Sequence, residues 1–208
     1  MVICNSAIIG YLMFKDLINK DIAPLLKQYG FKKKNFTWNR SVNGVIQVIN
    51  FQLSRYSDHN SQQFTINLGV FHPQLWGINK GEPAPKFITE FDCFPRERIG
   101  YINNTKNNNK DLWWTITNET NVIELSREIK NIIEDKCIPF LDKMLDYHAV
   151  SNFYLCFPKV LLPIDKIYLA IIKNILRDLD TSAKFLQEVS KISESWADKV
   201  KEVYSRLN

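Results

Sequence analysis

The chain has 208 residues, of which 45% are hydrophobic and 24% charged, a balance that allows a sizeable core and excludes extended disorder. Its net charge of +5 is uneven: residues 1–110 carry +7 and residues 111–208 carry −2, so the first half suits an acidic partner or nucleic acid. Cys4, Cys93, Cys137 and Cys156 form no CxxC pair and take no metal-ligand spacing with His59, His72 or His148, so we expect free thiols, a reducing cytoplasmic compartment, and neither metal nor cofactor.

Residues 1–13, MVICNSAIIGYLM, are apolar but lack a basic n-region and are too short to span a bilayer. They read as an N-terminal arm, with no membrane partner. Phe14, Leu17, Ile18, Ile22, Leu25, Leu26 and Tyr29 then recur at spacings of three and four, the stripe of an amphipathic helix that Gly30 stops. Pro24 inside this pattern predicts a kink near Ala23, because it lacks the donor for the preceding turn.

From Gly30 to Phe71 the chain alternates apolar and polar residues like three antiparallel strands. Lys32, Lys33 and Lys34 form a basic entry, and Asn43-Gly44 marks a tight hairpin. Phe64, Ile66, Leu68 and Val70 define a core face, while Thr37, Asn39, Asn50, Gln52, Ser54, Thr65 and Asn67 share the opposite parity. The second strand is ambiguous, since Ile46 and Val48 fall on the polar side. A turn is expected over residues 56–61.

Gly and Pro between Pro73 and Lys86 predict a long loop, and residues 87–94 a fourth strand. Residues 103–110, NNTKNNNK, read as a mobile turn, across which residues 111–116 would pair with residues 98–102, placing Trp113 and Trp114 on opposite faces. Helical spacing returns over residues 122–147, bent at Pro139. An apolar connector, residues 151–162, leads to two helices at about 163–179 and 182–206, with Asp180-Thr181-Ser182 as turn and cap. The predicted architecture is α+β: an N-terminal helix, an antiparallel sheet of four or five strands, then helices that include a C-terminal hairpin. Residues 14–147 would form the α+β domain, and residues 148–208 a helical appendage packed on it.

The ordered segments GFKKK, Trp38-Asn39-Arg40, INFQ (49–52), FTINLGV (64–70), PRERIG (95–100), LWW (112–114) and IPFL (138–141) resemble the bacterial family catalogued as domain of unknown function 4304. The resemblance spans about residues 14–143 and implies a small α+β domain with no established activity, cofactor or catalytic residue. Residues 1–13 and NNTKNNNK depart from its pattern.

Arg96 and Arg98, alternating about Glu97, would set two guanidinium forks on one side of the sheet, and with Arg40 they form the best anion-reading patch. The same arginines are also suited to structural pairs with Glu90 and Asp92. Asn50, Gln52 and Asn67 would supply a polar recognition face, and Trp114 a stacking surface if it is not buried. There is no Walker loop, dinucleotide fingerprint, zinc spacing or nucleophile elbow. The leading expectation is therefore a non-enzymatic protein-binding module, in the narrower form an immunity or defence-associated factor of a bacterium. The second is nucleic-acid binding through Lys32, Lys33, Lys34, Arg40, Arg96 and Arg98, with Trp38 or Trp114 stacking on bases. The third is an enzyme acting on a small anionic substrate near Arg96.

Overall fold

A computed structural model of the protein describes residues 6–56, 61–102, 111–156 and 160–207, with side chains from Ile9 onward. The first helix begins earlier than the apolar stripe alone predicts: α1 (Ser6–Asp16) passes through a π-helical turn (Leu17–Ile22) into α2 (Ala23–Gln28), so residue 13 lies inside a helix. Pro24 sits in the first turn of α2. The widened turn before it accommodates the missing proline donor, so the helix continues where the sequence predicts a break. Pro139 is treated identically: α5 (Val122–Ile132) runs through a second π-helical turn (Ile133–Cys137) into α6 (Ile138–Lys143), with the proline in its first turn.

The sheet is antiparallel, with strands β1 (Lys32–Lys34), β2 (Thr37–Val42), β3 (Val45–Leu53) and β4 (Gln62–Phe71) paired in chain order. The basic entry is itself the edge strand, turned onto β2 through Asn35 at φ 56°. Asn43 (φ 50°) and Gly44 (φ 82°) form the hairpin between β2 and β3, as their dipeptide predicts. The far side of β4 is shared end to end by β5 (Arg96–Arg98) and β6 (Trp114–Ile116). The expected strand over 87–94 is instead an extended lead into a 3-10 turn (Glu90–Asp92), because Thr89 and Asp92 close a capping box. Nor do residues 111–116 pair with residues 98–102. There Ile99–Ile102 forms a short helix, α4, and Trp114 lies opposite Phe64. The expected turns over 56–61 and 103–110 fall mainly or wholly outside the described residues.

On one face Trp38, Ile49, Phe51, Phe64, Ile66, Leu68 and Val70 are closed to solvent beneath α1, α2, α5 and α6, and each such fully buried side chain contributes about 1.5–3 kcal/mol. The parity ambiguity of β3 is resolved by a second, smaller core on the opposite face. Val48 and Phe71 meet Trp76, Ile88 and Cys93 there, with Ile46 packed alongside. Trp76 comes from α3 (Pro73–Lys80), which occupies the segment whose Gly and Pro residues predict a loop. Proline in the first turn and Gly81 at φ 72° just past the end are start and stop signals of a short helix.

The apolar connector is also helical, as α7 (Tyr147–Cys156), and the C-terminal segment forms three helices rather than two: α8 (Pro163–Ile175), α9 (Leu179–Ser190) and α10 (Glu194–Leu207). Asp178, not Asp180, caps α9 by accepting from the Thr181 amide at 3.3 Å. Along α8, Ile167 to Ile172 are all buried, and one apolar cluster runs from Phe14 through α8 to Val203. Lys199 and Arg206 of α10 donate to the Asn79 carbonyl, and Arg206 also donates to that of Ile78 at 3.2 Å, capping the C-terminal end of α3. Gly81 leaves room for this, since a Cβ there would lie 2.5 Å from the Arg206 guanidinium carbon.

His72, at the junction of β4 and α3, is 3% exposed; its Nε2 donates to the Met144 carbonyl at 3.0 Å and its ring lies 4.9 Å from that of Tyr147. Burial lowers its pKa to about 4, with the Met144 hydrogen bond only partly offsetting the fall. A histidine held neutral in the fold but free to protonate when unfolded stabilises fully above the unfolded value and loses that contribution as pH falls toward the folded one. Between about pH 6.5 and pH 4, His72 should therefore cost up to about 3 kcal/mol of stability. Urea midpoints across this range should fall more steeply for the wild type than for His72→Gln, and parallel curves would contradict the assignment.

Candidate functional site

The sequence-predicted site residues separate across the sheet. The ladder aligns Thr37 with Asn50, Asn50 with Asn67 and Asn67 with Arg98, while one step along Val48, Gly69 and Arg96 align. Arg96, Arg98, Asn50 and Asn67 thus share a face, with Gln52 beside them. Arg40 lies on the other, in register with Gln47. Its guanidinium is ion-paired to Asp142, donates to Gln47 Oε1 at 2.6 Å and to the Tyr29 carbonyl at 3.4 Å, and lies over the Phe31 ring at 4.9 Å. That arrangement ties β2 to α6 and to the end of α2. Arg40→Ala should lower the unfolding free energy by about 2 kcal/mol while leaving any ligand affinity at the opposite face unchanged, which urea denaturation beside a binding titration will show.

The polar face largely satisfies itself. Asn50 Nδ2 donates to Thr37 Oγ1 at 2.9 Å, Asn67 Nδ2 donates to Asn50 Oδ1 at 3.1 Å and Gln52 Oε1 at 2.8 Å, and Thr65 Oγ1 donates to the Leu112 carbonyl at 2.7 Å. Asn67 and Thr65 are closed to solvent, and Asn50 and Gln52 are half-buried. Trp114 is a core residue, its ring 5.5 Å from Phe64 and its Nε1 donating to Glu128 at 2.9 Å. The tryptophan beside Arg98 is Trp113. It lies 5.3 Å from the Arg98 guanidinium and donates from Nε1 to Asp111 at 2.9 Å, and Arg98 is ion-paired to the same Asp111.

Arg96 differs from both other arginines. Its guanidinium lies 4.3 Å from the centroid of Phe91, which is 72% exposed, and it makes no hydrogen bond or ion pair with any described residue. The structural pairing with Glu90 or Asp92 does not form: Asp92 Oδ2 accepts from the Thr89 amide at 2.8 Å and the Thr89 hydroxyl at 2.7 Å.

Arg96 lines a half-open cleft of about 480 Å³, walled by Trp76 and Lys80 of α3, Phe91 and Asp92 of the 3-10 turn, β5, and Ile164, Asp165 and Tyr168 of α8. Leu162, 55% exposed, stands at its mouth. Behind it Phe94 is sandwiched between Tyr154 and Tyr168, each at 4.6 Å between ring centroids. Burial raises both phenols, and Asn79 partly offsets the rise at Tyr168, although no well-formed hydrogen bond reaches either Asn79 amide atom. Cys93 also lines the cleft, but burial first, then Asp92 and Glu90, push its thiol up, and Sγ donates to the Thr89 carbonyl at 3.3 Å. It is a protonated packing residue rather than a nucleophile. No described histidine lines this cleft, and no described cluster of His, Cys, Asp or Glu could hold a metal.

Local packing fixes the cleft floor. Gly69, opposite Arg96 in the ladder, lets residues 93–95 lie against β4: Val70 N donates to the Pro95 carbonyl at 2.9 Å and Phe94 N to that of Val70 at 3.1 Å. A Cβ at Gly69 would stand 2.6 Å from Cys93 Cβ and 2.8 Å from its sulfur. Gly69→Ala should therefore destabilise by about 1–3 kcal/mol and couple to Cys93→Gly in a double-mutant cycle read by denaturant midpoint.

The match to protein families spans the sheet and the helices from α2 to α6. A model described as "Domain of unknown function (DUF4304)" covers residues 22–143, more than half of the chain. The chain belongs to the DUF4304 family. No curated protein and no solved structure matches it. The cleft crosses the limit of the DUF4304 match: Arg96, Phe91 and Trp76 lie within it, whereas Tyr154, Leu162, Ile164, Asp165 and Tyr168 lie beyond. Sequence reading found Arg96 and Arg98 but missed Phe91, Trp76 and the α8 wall. The exchange of Asp92 into the Thr89 capping box is the signal that would have left Arg96 without its acid.

Proposed function

We propose that this DUF4304 protein is a non-enzymatic protein-binding module whose cleft is anchored by Arg96. One observation carries the reading: a half-buried guanidinium, unpaired among the described residues and laid on an exposed aromatic, at the rim of a cleft with an exposed leucine at its mouth. Arginine and aromatic side chains in such settings supply a large share of binding energy at protein interfaces. The narrower form, an immunity or defence-associated factor of a bacterial cytoplasm, rests on the family resemblance together with the same cleft. No described helix is long and apolar enough to cross a membrane.

The nucleic-acid reading has less support. Its cations do not form one stripe: Arg40 is ion-paired on the opposite face, Arg98 is ion-paired to Asp111, and Lys33 is engaged by Asn19 and lies 5.4 Å from the Trp38 ring.

The reading is tested by affinity capture from the source organism with wild-type protein and with Arg96→Ala and Phe91→Ala in parallel. A protein recovered by the wild type should be lost by both variants, with affinity falling by about 2 kcal/mol for Arg96→Ala and folding stability changing by less than about 0.5 kcal/mol. Arg98→Ala should instead lose stability, because Asp111 is left half-buried without its cation. Recovery unaffected by Arg96→Ala would remove the anchor, and binding of nucleic acid that weakens steeply with salt would favour the second reading.

A further inference from the structure

We infer that the Arg96 cleft is a carboxylate site, and that its occupant is the C-terminal residue of a partner chain bearing an aromatic or branched aliphatic side chain. This inference rests on the protein-binding reading and names the chemistry that the partner must present.

Charge chooses carboxylate over phosphate. Among the described residues the cleft is lined by three cations, Lys80, Arg96 and Arg98, and by three carboxylates, Asp92, Glu97 and Asp165. Arg98 is committed to Asp111, and Lys80 is exposed at the rim with its ammonium 5.6 Å from the Trp76 ring. Arg96 is the half-buried cation left open among the described residues. A dianionic phosphoryl group entering here would bring two charges to that one guanidinium beside three acids, whereas a carboxylate brings one and matches the planar fork in two parallel hydrogen bonds. Asp92 and Asp165 do not take that place: each commits an oxygen to the start of its own helical turn, Asp92 to Thr89 and Asp165 to the Leu162 amide at 2.9 Å, and neither is ion-paired to Arg96.

The walls choose what carries the carboxylate. Trp76, Phe91, Leu162 and Ile164 present apolar surface around Arg96, so the ligand must bring an apolar body to bury. An Asp or Glu within a continuing chain brings little, and the chain would have to leave on both sides. α3, the 3-10 turn, β5 and α8 wall the cleft, and about 480 Å³ suits one or two residues of a chain end. Phe91 is already stacked by the guanidinium, which holds the fork in place before the ligand arrives and lowers the ordering cost of binding.

The test uses the full chain and calorimetric titration with five probes: phenylacetate, its neutral amide phenylacetamide, phenyl phosphate, and a hexapeptide ending in Phe both as free acid and as C-terminal amide. Phenylacetate should bind at least tenfold more tightly than phenylacetamide and more tightly than phenyl phosphate. The free-acid peptide should exceed its amide by at least tenfold, and Arg96→Gln should abolish both preferences while Arg96→Lys keeps part of them. Equal binding of acid and amide, preference for phenyl phosphate, or full affinity in Arg96→Gln would each overturn the inference. Free phenylacetate bound with that selectivity but no preference between the peptides would mark a small-molecule acid site and overturn the chain-end assignment. The two readings fail separately. If the acid probes do not bind yet a captured protein still requires Arg96, the carboxylate assignment falls and the protein-binding reading stands. If free-acid peptides bind selectively but no captured protein depends on Arg96, the reverse holds.

Discussion

Everything in this fold hangs on β4 being closed to water on both faces. Of its ten residues, Gln63 alone is even half-exposed. A strand in that position forces cover on each side, and the two sides are covered differently. The face of Phe64, Ile66, Leu68 and Val70 is apolar and takes the long helices, with proline accommodated by a π-helical turn in both. The face of Thr65, Asn67, Gly69 and Phe71 is mixed: one end packs beneath Trp76, Ile88 and Cys93, and the middle is bridged by its own amides. Where those two covers meet, beside a glycine that admits close backbone approach, the cleft opens.

That division explains why the polar sheet face is largely hydrogen-bonded to itself. An amide in a half-buried row either finds a partner in its neighbour or costs about 1–3 kcal/mol, so Asn50, Gln52 and Asn67 hydrogen-bond to one another and hold the register of β3 on β4. Among the described residues the side chain left without such a partner is at the edge, where Arg96 meets neither a row of amides nor an acid.

The sheet and its inward face were legible because they depend on alternation and a tight hairpin, both local: Asn43-Gly44 turns as its dipeptide requires, and Phe64 to Val70 point where their parity places them. α3 was illegible because eight residues with an internal glycine carry too few turns to show a period, and its stability comes from outside, from Trp76 in the second core and from Lys199 and Arg206 on its last carbonyls. The same holds for the site. Arg96 and Arg98 are equivalent in sequence. Only the fold assigns Asp111 to one and none of the described acids to the other, because Asp111 arrives through a strand that pairs with β4 rather than with residues 98–102.

The C-terminal helices make the last difference. Lys199 and Arg206 bind α10 to the carbonyl end of α3, and α8 threads the main core from Ile167 to Ile172, so α3 and α8 are both held in place as walls of the cleft. The sheet edge supplies the charge of the cleft, and those walls supply its depth and apolar character. A DUF4304 sheet without such helices would present Arg96 on an open edge, where solvent screens a guanidinium and the net value of an ion pair falls below about 1 kcal/mol. Ile164, Leu162 and Tyr168 line the cleft around the same group, so a carboxylate bound there, as proposed above, would be less screened by solvent than one on the open sheet. On this chain, residues outside the family match enclose a residue inside it.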